Sequence, residues 1–237
     1  MFTMIRYSIT RCAKMANLNE LKLIWKNADA VTFDVDSTVI QEEGIDELAK
    51  FCKKENDVVA LTNKAMQGDM SYQQSLIERL KIIQPSFMQI KEFLTSRTLK
   101  LSPGIKTLIT ALQNRRKQVF LISGGFYSLI APVATSLDIP LENCFTNKLK
   151  FYYTGEYAGF DEDQPTAVNG GKVKVIKYLK NEKKFKTIVH IGDGATDLET
   201  ISVVDLFIGY GGNVVRESVK QQSLWYITHF NELVSIL

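Results

Sequence analysis

Four short runs dense in β-branched and aromatic residues punctuate the chain: Ala30 to Val35, Gln118 to Ile122, Thr187 to Ile191 and Asp205 to Ile208. Runs this short and this apolar predict strands buried on both faces, as in a parallel sheet. Between them the apolar positions return every three or four residues. Ser102-Pro103 predicts a helix start, with Ser as N-cap and Pro in the first turn. Ile105, Leu108, Ile109 and Leu112 then supply the apolar stripe. Lys172 to Lys183 predicts another helix, with Val175, Ile176 and Leu179 inside. Strands alternating with helices predict an α/β fold with a Rossmann-like parallel sheet covered on both faces.

Residues 41–100 break that rhythm. They hold no convincing strand and several helical patterns: Ile45, Leu48, Ala49 and Cys52 on one face, then a segment capped by Ser71 with Leu76, Leu80 and Ile83, then one opened by Ser86. An all-helical insertion after the first strand is expected, with residues 20–40 and 101–237 forming the core. Leu149 to Phe160 alternates around Thr154-Gly155 and predicts a β-hairpin. Residues 1–19 read as an N-terminal extension, basic and acid-free, which fits either a frayed terminus or a mitochondrial transit peptide.

Composition narrows the class. A length of 237 residues with 45% hydrophobic and 23% charged residues is ordinary for a globular protein, and no apolar run reaches the ~18 residues a membrane helix needs. Arg6, Arg11 and Lys14 lie in the extension; without them the 29 basic residues fall to 26, equal to the acids. A neutral body argues against a general nucleic-acid binder, which needs a basic face. Three scattered cysteines, Cys12, Cys52 and Cys144, form no C-x-x-C pair, so a reducing compartment, the cytoplasm, is expected. The two histidines, His190 and His229, form no metal-binding pattern, and His190, inside an apolar strand, reads as a core residue.

Four strand ends carry polar residues. Asp34 and Asp36 stand at i and i+2 where the first strand stops, so their carboxylates share a direction. A lone D-x-D is more often an Asp-rich turn that caps the next helix. Ser123-Gly124-Gly125 offers a hydroxyl and close backbone N–H groups to an oxyanion, or is an ordinary strand-to-helix turn. Gly170-Gly171-Lys172 opens a helix, where anions bind well, but Thr166 and Val173 break the P-loop pattern. Gly192-Asp193-Gly194-Ala195-Thr196-Asp197 fails as a dinucleotide fingerprint because Asp197 replaces the third glycine. A nucleotide-binding oxidoreductase on the same sheet is thereby disfavoured. Together the four ends bring several carboxylates, a serine and a lysine to one sheet edge. Carboxylates without histidine suit Mg²⁺.

This order of D-x-D-x-T, Ser, Lys and G-D-G-x-x-D resembles the haloacid dehalogenase superfamily, in which a helical C1 cap follows the first strand. The segments Phe33 to Val39, Glu42 to Ala49, Ile82 to Ser86, Leu121 to Phe126, Tyr157 to Asp161 and Ile191 to Asp197 are similar to the animal-type phosphoserine phosphatases of that superfamily. The resemblance implies a Mg²⁺-dependent phosphomonoester hydrolase that releases serine from phosphoserine, a small-molecule substrate, in the last step of serine biosynthesis. Asp34 is then the nucleophile and Asp36 the general acid and base. Asp34, Asp36 and Asp193 hold the metal, Ser123 and Lys172 bind the phosphoryl group, and Asp197 supports them. Glu43, Met66, Arg79, Gly124, Gly125 and Thr196 complete the substrate site, with Glu43 meeting the ammonium and Arg79 the carboxylate. Gln67 stands where the mammalian-type sequences have glycine, which puts the local loop shape in doubt. The family includes homodimers, and neither nucleic acid nor membrane is expected as a partner.

Overall fold

The computed structural model describes residues 18–66 and 71–237, with side chains throughout except at 60 and 62–66. Helix α1 (Leu18–Asn27) leads into β1 (Ala30–Phe33). Four helices follow: α2 (Gly44–Phe51), α3 (Glu55–Met66), α4 (Tyr72–Ile83) and α5 (Phe87–Ser96). The chain then returns through α6 (Ile105–Asn114), β2 (Gln118–Phe126), α7 (Tyr127–Ser136) and β3 (Cys144–Asn147). A hairpin of β4 (Leu149–Phe151) and β5 (Tyr157–Phe160) precedes α8 (Gly171–Asn181) and β6 (Ile188–Gly192). Helix α9 (Ala195–Leu198), β7 (Leu206–Tyr210), α10 (Glu217–Gln222), β8 (Trp225–Ile227) and α11 (Asn231–Val234) close the chain.

Six strands make one parallel sheet in the order β3-β2-β1-β6-β7-β8. Every residue of β1, β6 and β7 is buried, which is why their sequences are continuous apolar runs. Two clusters cover the faces. Trp25, Leu108, Ile109, Leu112, Val133, Phe230 and Leu233 pack on one side, and Val175, Ile176 and Leu179 on the other. The Trp25 indole is fully buried and donates to the Leu233 carbonyl at 3.2 Å, which ties α1 to the C-terminal helix.

The helical insert has its own core of Leu48, Ala49, Val58, Leu76, Leu80, Ile83, Ile90 and Phe93, and rests on Phe126, Leu129 and Phe160 of the body. Ser71 and Ser86 each close a reciprocal capping box with the glutamine three residues on, which starts α4 and α5 sharply. The chain crosses into and out of the insert at adjacent points. Ile40 and Leu101 form an antiparallel bridge, Gln41 N–H donates to the Lys100 carbonyl at 3.0 Å, and Glu42 pairs with Arg97 and Lys100.

The structure extends several expectations. Strand β2 continues past Ser123 to Phe126, with its register to β3 slipping between Ile122 and Phe126, so the Ser-Gly-Gly stretch lies within a strand rather than beyond it. Edge strands β3 and β8 escaped the hydrophobic pattern because they are four and three residues long and need only one neighbour. Helix α1 begins at Leu18; residues 1–17, the rest of the basic extension, lie outside the described residues.

Candidate active site

The sheet's register places the ends of β1, β2 and β6 level, with Phe33 opposite both Leu121 and Ile191. Just past that level the chain leaves β1 at Asp34 and makes one wide turn closed by Ile40 N–H to the Val35 carbonyl at 3.0 Å. Ser37 takes a left-handed φ of 54°, a conformation that costs a non-glycine residue about 1 to 2 kcal/mol. Asn213 Nδ2 holds the Ser37 carbonyl at 3.0 Å, and the Ser37 hydroxyl donates to Glu43 Oε1 at 2.7 Å. This turn aims Asp34 and Asp36 into a common cavity of about 230 Å³.

Lys172, in the first turn of α8, reaches between two carboxylates. Its Nζ lies 2.8 Å from Asp34 Oδ1 and 2.6 Å from Asp197 Oδ1. Asp197 is fully buried and saturated, since its Oδ1 also faces His190 Nε2 at 2.7 Å and its Oδ2 accepts Gly194 N–H at 2.9 Å. Gly192 is required beside it, because a Cβ there would run into the Asp197 carboxylate. His190 is buried in β6 as expected of a core residue, but it is also a partner of the site. Burial keeps its pKa low, an effect only partly offset by Asp197, so the neutral ring donates from Nε2 to Asp197 and accepts the Thr32 hydroxyl at Nδ1, 2.8 Å away.

Asp36 occupies a different environment. Its Oδ1 accepts Gly44 N–H at 2.7 Å, at the start of α2, and its Oδ2 accepts the Ser123 hydroxyl at 3.4 Å. The turn-and-cap reading of this residue and the chemical one therefore describe the same side chain. Burial first, and Glu43 second, push its pKa up to about 7. A carboxyl group that titrates there is matched to both giving and taking a proton at neutral pH. Asp193 receives Thr38 Oγ1 on Oδ1 at 2.6 Å and Arg216 Nε on Oδ2 at 2.9 Å.

Asp34, Asp193 and Asp197 bring carboxylate oxygens within 4.8 Å of one another. Burial, then repulsion from Asp197, raises the Asp34 pKa well above the usual carboxylate range despite Lys172, and burial and Asp197 also raise Asp193. For Asp197, burial acts upward but Lys172 and His190 outweigh it and hold the group far below its ordinary value. With all three ionised, the cluster would carry more negative charge than Lys172 and Arg216 neutralise. A hard cation bound to Asp34 and Asp193 would relieve that excess, and an all-oxygen donor set suits it. Asp197 is committed elsewhere, its Oδ1 to Lys172 and His190 and its Oδ2 to the Gly194 N–H.

A family model for haloacid dehalogenase-like hydrolases matches residues 28–205. The phosphoserine phosphatase of Bos taurus is 55% identical over 94% of this chain and 99% of its own length, and that of Homo sapiens is 54% identical over the same shares. The chain belongs to the haloacid dehalogenase-like hydrolases. Within that family it groups with phosphoserine phosphatases. Among solved structures, a phosphoserine phosphohydrolase-like protein from Francisella tularensis superposes with a TM-score of 0.76 at 30% identity, covering 88% of this chain and 99% of its own. Membership of this family removes the nucleotide-binding oxidoreductase reading.

The hydrolase's cavity also gathers the remaining residues singled out in the sequence. Glu43, Arg79, Gly124, Gly125 and Thr196 all line it. Arg79 donates from Nε to the Ser75 carbonyl at 3.3 Å and lies 4.0 Å from Asp46. Met66 ends α3 and its side chain lies outside the described residues, as does Gln67. Two polar side chains of the cavity were not anticipated. Arg216 links Asp193 to Glu43, with Nη2 3.2 Å from Glu43 Oε1, and Tyr72 lies at the start of α4. Arg216 follows Gly211-Gly212-Asn213, a fifth polar strand end, after β7, beyond the four read from the sequence. Among the described residues no helix is long and apolar enough to cross a membrane.

Proposed function

We propose that this hydrolase converts O-phospho-L-serine to L-serine and phosphate, the closing reaction of serine synthesis, with Asp34 as nucleophile, Asp36 as proton carrier and Mg²⁺ as cofactor. One observation carries the reading: Asp34, Asp36, Ser123, Lys172 and Asp193 share a cavity whose other wall presents Glu43 and Arg79. The first group suits a phosphoryl ester, and the second suits the ammonium and carboxylate of an amino acid. The names of the curated relatives point the same way.

In the first step Asp34 attacks phosphorus in line, the bond from phosphorus to the seryl oxygen breaks, and Asp36 gives that oxygen a proton. Serine leaves and Asp34 carries the phosphoryl group. In the second step Asp36 takes a proton from water, the oxygen attacks phosphorus, and the Asp34 carboxylate is released with phosphate. Lys172 and Ser123 bind the phosphoryl oxygens as charge builds on them. Asp197, itself fixed by His190, holds the Lys172 ammonium, whose pKa burial would lower but which Asp197 and Asp34 hold above its ordinary range. Asp34, the Asp36 carbonyl and Asp193 would hold Mg²⁺, which would supply positive charge against the phosphoryl oxygens. The Arg79 fork grips the substrate carboxylate and Glu43 faces its ammonium. Free Cys52 and Cys144 agree with a reducing compartment, and we place the enzyme in the cytoplasm.

The test is phosphate release from L-phosphoserine with Mg²⁺, after chelation, and in Asp34→Asn. Metal-dependent release that falls by at least about a thousandfold in Asp34→Asn is expected. Release that survives chelation, or near-normal turnover in the variant, contradicts the assignment.

A further inference from the structure

Helix α4 touches the catalytic edge of the sheet through its first residue. The Tyr72 hydroxyl donates to the Gly124 carbonyl at 2.9 Å. Asn147 Nδ2 donates to the same carbonyl at 2.8 Å and lies 3.3 Å from the Tyr72 oxygen, while Thr166 Oγ1 fixes the Asn147 amide by donating to its Oδ1 at 2.8 Å. The approach depends on glycine, since a Cβ on residue 124 would strike the phenol. Burial pushes the Tyr72 pKa up to about 12, so the hydroxyl keeps its proton and remains a donor.

The peptide unit that begins with this carbonyl ends with the N–H of Gly125. It is planar and trans, so the carbonyl and the N–H point in opposite directions. Tyr72 and Asn147 hold one end. The other end donates to Ser123 Oγ at 2.9 Å, and Ser123 Oγ in turn donates to Asp36 Oδ2. A turn of this peptide about its axis would take both ends out of their hydrogen bonds together. The phenol comes from the insert, whereas the peptide and Ser123 belong to the sheet, so the position of the insert is felt at the serine hydroxyl.

We propose that Tyr72 is a positioning residue whose hydroxyl, brought in by the docked cap, fixes the Gly124–Gly125 peptide and through it orients Ser123 toward the phosphoryl group. The inference rests on the assignment of Ser123 to the phosphoryl group, and it deepens that assignment by coupling cap docking to the arrangement of the reacting end. It differs from a substrate contact, because Tyr72 acts here through the backbone at the end of β2, which any phosphomonoester would meet.

Tyr72→Phe keeps the ring and its packing and removes one of two donors to the carbonyl. Loss of one neutral hydrogen bond corresponds to about fivefold. Turnover is measured on L-phosphoserine and on p-nitrophenyl phosphate, an ester with neither ammonium nor carboxylate, in the wild type, Tyr72→Phe, Ser123→Ala and the double variant. The expected result is a fall in kcat of about fivefold on both esters, with KM for phosphoserine changed by less than about twofold, and little further fall when Tyr72→Phe is added to Ser123→Ala. Three results overturn the proposal: unchanged kcat on both esters, a change confined to the KM of phosphoserine, or effects of the two substitutions that multiply in full. The aryl ester keeps the test separate from the substrate assignment. Failure to hydrolyse phosphoserine would remove that assignment and leave the Tyr72 comparison readable.

Discussion

Replacing Lys172 by methionine is the sharpest perturbation the site allows, because the side-chain length is kept and only the charge is lost. The ammonium is buried, with 6% of the residue exposed, and touches Asp34 and Asp197 at 2.8 and 2.6 Å. Its removal leaves those two carboxylates beside Asp193 with no cation between them. Removing one partner of a buried pair costs about 3 to 5 kcal/mol, because the remaining charge stays uncompensated. For a chain of this size each kcal/mol is worth about 2 to 4 °C, so the unfolding temperature should fall by roughly 6 to 20 °C in chelator. The pH dependence has a definite sign. Without Lys172 the native Asp34 pKa, already raised, rises further, and Asp197 loses the main charge that depresses it, so the native state binds more protons than in the wild type and loses stability relative to it as pH climbs. The deficit relative to the wild type should therefore widen from pH 5.5 to pH 8. Adding Asp197→Asn should recover part of the stability and none of the activity. Thermal unfolding followed by circular dichroism in chelator reads all of this. A Lys172→Met protein that unfolds within about 2 °C of the wild type at every pH would show that the cluster is not charged as described.

Two further outcomes are expected. Arg79→Ala should raise KM for phosphoserine by about tenfold or more while leaving p-nitrophenyl phosphate hydrolysis within about twofold, as loss of a charge-assisted grip requires; an unchanged phosphoserine KM would remove Arg79 from the carboxylate site. Asp34 and Asp193 have raised native pKa values, and Asp36 is raised to about 7, so their contribution to metal-free stability is present at low pH and lost as pH rises through that range. Mg²⁺ at the proposed ligands Asp34 and Asp193 would compete with protons there, so the rise in unfolding temperature on adding it should be larger at pH 8 than at pH 5.5, and a shift that shrinks with pH would contradict the assigned ligands.

Much of this arrangement was legible in the order of residues, for a physical reason. A buried parallel strand must be apolar along its length, so a polar residue at its end stands out, and Asp34, Ser123 and Asp193 each follow such a run. Lys172 was readable from the glycines that open its helix. His190 was hidden by the same logic: within an apolar strand a polar residue reads as core, and its bond to Asp197 exists only because α9 turns back over the end of β6. Tyr72 and Arg216 escaped because their partners, Gly124 and Asp193, are brought to them by the insert and by the loop after β7, and no spacing along the chain records that closeness.

The adjacent crossing points at Ile40 and Leu101 carry a last consequence. A segment that departs and returns through a single rung of ladder can be lengthened, shortened or exchanged without re-registering the strands beneath it. On the proposed roles, recognition of the amino-acid end and cleavage of the ester are written in separate stretches of chain, joined where Asp36 takes the Gly44 N–H, where Arg216 spans Asp193 and Glu43 and where Tyr72 meets Gly124. New ester preferences could arise by rewriting the insert alone, provided those ties are kept.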